Sequence, residues 1–88
     1  MQLQLVLKEK DVTLVLLDEE HKVDEKKWVD ENNLLEKFFP VADKMFEENN
    51  CTINDIDDFI LETNIPRGYT TARIARTIIK ALNFTQKK

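Results

Sequence analysis

The stretch Glu62–Leu82, ETNIPRGYTTARIARTIIKAL, holds the residues best placed to do chemistry. Pro66, the single glycine Gly68 and the hydroxyls of Thr70 and Thr71 stand just ahead of an apolar-periodic run. A turn feeding a helix N-terminus is the layout that phosphate-binding loops use. A phosphate cradle also needs several glycines, so that backbone N–H groups converge on the anion. This loop has one, and the chain contains neither Gly-Lys-Ser/Thr nor GxGxxG. A structural turn with Thr70 as the helix cap is the plainer reading.

The other reactive groups are sparse. Glu9 and Asp11 lie near one turn, and Asp55, Asp57 and Asp58 cluster near another. Without histidine or glycine-loop spacing they read as loop and cap residues, not metal ligands. His21 is the only histidine and falls in a polar turn. Cys51 is the only cysteine and has no base near it in sequence, so it reads as a passive thiol. Arg73, Arg76 and Lys80 share one helical stripe, which is either a solvated face or a contact for an acidic partner or tRNA phosphates. No catalytic residue, cofactor or metal is expected, and the protein is not expected to be an enzyme.

The elements that position these residues follow from hydrophobic periodicity. Leu3, Leu5 and Leu7 alternate with polar residues, a strand signal. VTLVLLD is apolar on both faces and predicts a central strand. KVDEKKWV is Lys-rich and suits a sheet edge. These three predict an antiparallel meander. In DENNLLEKFFPVADKMFEENN, Leu34, Leu35, Phe38, Val41, Ala42, Met45 and Phe46 recur at helical spacing, with a kink or broken turn expected at Pro40. NNCTINDID reads as a loop, DFILET as a strand, NIPRGY as a turn and Thr70 to about Leu82 as a second helix. The order β-β-β-α-β-α implies a crossover with at least one parallel pair. The fold class is α/β, a mixed sheet with two helices. One domain is expected over residues 1–84, with a frayed tail at 85–88.

At 88 residues the chain suits one small domain, with a thin stability margin. A net charge of −4 argues against nucleic acid as the sole partner. One cysteine excludes an internal disulfide and suggests a reduced, cytoplasmic setting. No run is long and apolar enough for a membrane span, and MQLQLVLKEK lacks signal-peptide features. The two helices carry apolar arcs of roughly 160° and 180°, against the ~100° that packing on a sheet requires. The surplus implies either helix-on-helix packing or an exposed helical patch that binds another protein.

Three stretches in this order resemble the bacterial TsaB family, also called YeaZ, of threonylcarbamoyladenosine tRNA modification. VTLVLLDEEHKV is similar to its second strand and following turn. NNLLEKFFPVADKMFEENNCTINDIDDFIL is similar to its long helix, loop and strand. There Phe38, Phe39 and Pro40 stand where Leu-Leu-Pro is usual, and Ile53, Asp55, Ile56 and Asp57 match the loop. IPRGYTTARIARTIIKAL resembles the signature Gly-Pro-Gly-Ser-Phe-Thr-Gly-x-Arg-Ile-Gly through Pro66, Tyr69, Thr70, Arg73 and Ile74. Ile65, Arg67, Thr71 and Ala75 replace its glycines, and LVLKEKD replaces Ile-Asp-Thr-Ser at the end of the first strand.

The resemblance spans about Met1 to Phe84 and covers the family's N-terminal subdomain. It implies half of an actin/Hsp70-like, ribonuclease-H-like unit, which cannot build an interdomain nucleotide cleft alone. It also implies a non-catalytic subunit that pairs with a TsaD-like enzyme through the two helices, supported by a TsaE-like ATPase, or homodimerises when alone. tRNA would be met only indirectly. On this reading the partner-binding helical surface is Leu35, Phe38, Phe39, Ala42, Met45, Phe46, Thr71, Ala72, Arg73, Ala75, Arg76 and Ile79. Ala75 is expected at a close helix contact, where Ala75→Trp would abolish dimerisation and leave the domain folded. The alternatives are a stand-alone homodimeric scaffold using the same helices and a degenerate nucleotide-binding enzyme.

Overall fold

The computed structural model describes residues 1–86. Three strands, β1 (Gln2–Lys8), β2 (Asp11–Asp18) and β3 (His21–Val29), form an antiparallel meander. Helix α1 (Leu34–Glu48), a short 3-10 turn (Ile53–Asp55), strand β4 (Asp58–Thr63) and helix α2 (Thr70–Gln86) follow. The sheet order is β3-β2-β1-β4, with β4 parallel to β1. This is the expected α/β class and element order. β2 is internal, and Lys-rich β3 is an edge, bent by an irregularity opposite Leu16 and Leu17.

The period-2 pattern decides which way the sheet faces. Leu3, Leu5, Leu7, Val12, Leu14 and Leu16 are all buried and join residues of both helices in one core cluster. Both helices therefore cover the same face. The alternating residues Gln2, Gln4 and Thr13 lie on the other face and are half-buried by their neighbours. α1 and α2 also touch each other. That contact takes up part of the surplus apolar arc, while Leu35 and Phe39 stay exposed. Trp28 of β3 packs against this core, with its indole N–H buried and unpartnered.

Three local expectations are corrected. α1 runs unbroken across Pro40. Pro40 and Glu36, whose carbonyl loses its helical donor, are both exposed, so water can serve that carbonyl. Thr70 is the first residue of α2 rather than its cap, and the first turn closes with the Arg73 amide donating to the Tyr69 carbonyl at 3.1 Å. Helix α2 continues past Leu82, so Thr85 and Gln86 are helical rather than a frayed tail; the remainder of that tail, Lys87 and Lys88, lies outside the described residues.

The reason for the longer helix is visible at Asn83. Its side-chain amide donates to the Phe59 carbonyl at 2.8 Å, and its Oδ1 accepts from the Phe59 amide at 3.0 Å. Phe59 sits on edge strand β4, and these are the backbone groups that β1 does not use. The last turn of α2 is thus tied down from outside the helix.

Candidate functional site

The loop that opened the question borders a cleft of about 900 Å³ beyond the C-terminal ends of β1 and β4. Asn64, Ile65, Pro66, Tyr69 and Thr71 line one side; Glu9, Lys10, Asp11, Asp30 and Glu31 line the other. Open α/β sheets bind ligands at such an end. Here, though, four carboxylates face one lysine, and phosphate would be repelled. Gly68 does not cradle anything: it has no positive φ, and a Cβ built on it meets nothing within 4 Å. The loop keeps the outline of a phosphate site and lacks both its backbone geometry and its charge.

Asp30 sets the position of the two helix starts around this cleft. It is buried, accepts from the Asn33 amide at 3.1 Å, and accepts from the Thr71 hydroxyl at 3.4 Å. Its own amide donates to the Lys10 carbonyl at 2.7 Å. One residue thereby links three elements: its amide holds the β1–β2 turn, and its carboxylate holds the entry to α1 and the first turn of α2.

The helical surface expected from the sequence divides in two. Phe38, Ala42, Met45, Phe46, Ala72, Ala75 and Ile79 are buried in the interior of this chain and offer no surface. The physical reason is that α1 and α2 lie side by side on one sheet face, so each spends one flank on the sheet and another on its neighbour. Ala75 lies in the core of the domain at 0% exposure, not at a surface where a partner could pack. Leu35 and Phe39 do reach solvent, at 55% and 40%, and Arg73 and Arg76 are exposed while Thr71 is half-buried.

Between the helices runs a groove of about 370 Å³, lined by Leu35, Thr70, Arg73, Ile74, Thr77 and Ile78. Leu35 and Phe39 lie one helical turn apart, so both fall on the flank of α1 next to it. The Phe39 ring is braced edge-on against buried Phe38, with centroids 5.1 Å apart. Ile74, Thr70 and Thr77 were not among the expected residues. Their signal was the i, i+4, i+7 spacing on α2, masked by the stronger apolar arc beside them.

The remaining reactive groups have structural roles. Asp55 accepts from the Thr52 amide at 2.8 Å and closes the 3-10 turn. Asp57 holds the Met1 amine at 2.8 Å, which raises that amine above its ordinary range. Burial, and then Asp55 nearby, push the half-buried Cys51 thiol up, so it is mostly protonated at neutral pH. His21 is the exposed first residue of β3. No group of three or more metal-binding side chains forms among the described residues.

No protein-family model and no curated protein matches the sequence. Solved structures do match the fold. YeaZ from Pseudomonas aeruginosa superposes with a TM-score of 0.77 at 19% identity, over 100% of this chain and 41% of its own. The fold is that of part of YeaZ. A further Pseudomonas aeruginosa protein, described as similar to peptidase YeaZ, gives 0.78 at 19% identity with the same coverage. The chain accordingly has a mixed four-stranded sheet and two helices arranged as in part of YeaZ. It spans about two fifths of the length of the YeaZ chain it matches.

Proposed function

We propose that the chain is a TsaB-like, non-catalytic docking subunit that pairs with a TsaD-like enzyme in threonylcarbamoyladenosine modification of tRNA. A TsaE-like ATPase completes the assembly, in the cytoplasm. The observation that carries this reading is the groove between α1 and α2, with Leu35 and Phe39 held out beside it. Exposed apolar side chains flanking a groove are what a partner helix packs into. The likeness of the fold to YeaZ supports the choice of partner. The acidic cleft and the unused Gly68 support a role without nucleotide chemistry of its own.

A second reading, a homodimer through the same helices, is favoured by charge. The exposed side of α1 carries Glu36, Asp43 and Glu47, and that of α2 carries Arg73, Arg76 and Lys80. Two copies related by a two-fold axis can set one against the other.

Co-purification with the TsaD-like protein of the same cell tests the proposal. A complex that is lost in Leu35→Asp and Phe39→Asp is the expected result. No complex at micromolar concentration, with a clean monomer by light scattering, would overturn both readings.

A further inference from the structure

All 17 acidic residues of the chain precede Asn64. From Asn64 onward come Arg67, Arg73, Arg76, Lys80, Lys87 and Lys88, and no carboxylate side chain. Segregation of this kind, in a chain of net charge −4, points to contact with a polyanion.

The fold displays part of that segment as an ordered stripe. Arg73, Arg76 and Lys80 are exposed on α2 at i, i+3 and i+7, and among the described residues none of them pairs with a carboxylate. The cations of β3 are different: Lys22, Lys26 and Lys27 each lie within 2.7–3.7 Å of a glutamate. Phe84 continues the stripe one turn beyond Lys80 and is 82% exposed. At 100° per residue, Arg73, Lys80 and Phe84 fall within about 40° of one another, along roughly 16 Å of helix. Nothing in the fold accounts for an aromatic ring left so far out.

We propose that this stripe binds single-stranded RNA. The guanidinium and ammonium groups meet successive phosphates, with Arg able to do so bidentately. Phe84 offers a face on which a base stacks, the usual complement of a cationic track in single-strand binding. An acidic protein is the weaker fit. Protein interfaces deplete charge at their centre, and the aliphatic side chains Leu35 and Ile74 lie toward the groove, away from this stripe. Arg73 borders the groove as well, whereas Arg76, Lys80 and Phe84 do not line it, and these three set the inference apart from docking in that groove.

Fluorescence anisotropy of a short labelled oligouridylate with the intact chain tests it. Binding is expected at about 50 mM salt, and the affinity should fall with salt at a log–log slope near −2, as three phosphate contacts to a single strand require. Arg76→Glu with Lys80→Glu should remove binding. Phe84→Ala should weaken it ~10-fold and leave the salt slope unchanged. Leu35→Asp should leave it intact, which separates this inference from the docking proposal. Circular dichroism checks that each variant folds. No anisotropy change at roughly 100 µM protein in low salt would overturn the proposal. Wild-type affinity in Phe84→Ala would do the same, as would equal competition by oligoglutamate, which would reassign the stripe to an acidic protein.

Discussion

The side-chain amide of Asn83 occupies both free backbone groups of Phe59, donating at 2.8 Å and accepting at 3.0 Å. It stands in for a neighbouring strand at Phe59, where β4 would otherwise present an unpaired N–H and C=O at the sheet edge. Asn83→Ala removes both bonds and should cost about 1–3 kcal/mol, because two part-buried polar groups lose their partner. Asn83→Asp keeps the acceptor and loses the donor, and should recover little of that loss. Urea unfolding followed by the fluorescence of Trp28, the only tryptophan, measures both. An unchanged midpoint for Asn83→Ala would mean that water replaces the amide at no cost.

Burial separates interface from interior on the two helices. Ala75 is fully buried, so Ala75→Trp overpacks the core and should destabilise the domain by at least 1–3 kcal/mol. Leu35 is half-exposed and Leu35→Asp should leave stability within about 0.5 kcal/mol. A thermal melt of the two variants side by side decides it. A folded, fully stable Ala75→Trp would contradict the packing described above.

Acid should weaken the tie between β3 and the end of α1. Asp24 accepts from the Asn49 side chain at 2.9 Å and from the Glu25 amide at 2.7 Å, and these bonds hold its carboxyl below the usual carboxylate range. A carboxylate depressed in the folded state adds stability that is present above its unfolded pKa, near 3.9, and is lost as pH falls through the lower folded value. Asp24→Ala should therefore be less stable than the wild type near neutral pH, with the gap closing below about pH 4. A gap that stays constant from neutral pH to pH 2 would remove Asp24 from the acid response.

The chain places its one glycine where none is needed and omits glycine where one would help. Glu19 and Glu20, the two residues of the β2–β3 turn, have φ of 50° and 70°. That left-handed pair is a turn which Asn-Gly fits without strain. Glu19→Asn with Glu20→Gly should stabilise by about 1 kcal/mol. Gly68→Ala should be neutral or stabilising by about 0.4–1 kcal/mol, since its φ is not positive and a Cβ has open space. A clear loss of stability in Gly68→Ala would show that the loop needs its glycine after all.

Much of the architecture could be read from periodicity. Leu3, Leu5 and Leu7 alternate cleanly because one side of β1 is buried and the other is not. β4 is found at its observed bounds because DFILET is short, apolar and flanked by turn residues. What periodicity could not supply is the neighbour. Phe38 and Phe39 are adjacent and alike, yet one is 1% exposed and the other 40%, since only the placement of α2 decides which flank of α1 is covered. The same ignorance put seven interior residues on the expected surface. Asn83 was missed for a different reason: a lone amide in a helical turn has no pattern, and its partner Phe59 is remote in sequence.

The parallel pair also sets an order of events. β1, β2 and β3 meet through two tight turns, so their pairing is local and can form within microseconds. β1 gains its other neighbour only when Leu3 aligns with Phe59, after α1 has been traversed. That closure spans most of the contact order of the fold and should limit its rate. On the ribosome, the inner edge of β1 stays open until Thr63 has emerged, and β4 stays unlatched until Asn83 follows. During that interval the nascent meander exposes a ready-made apolar template, and another unfinished copy is the hazard most apt to find it.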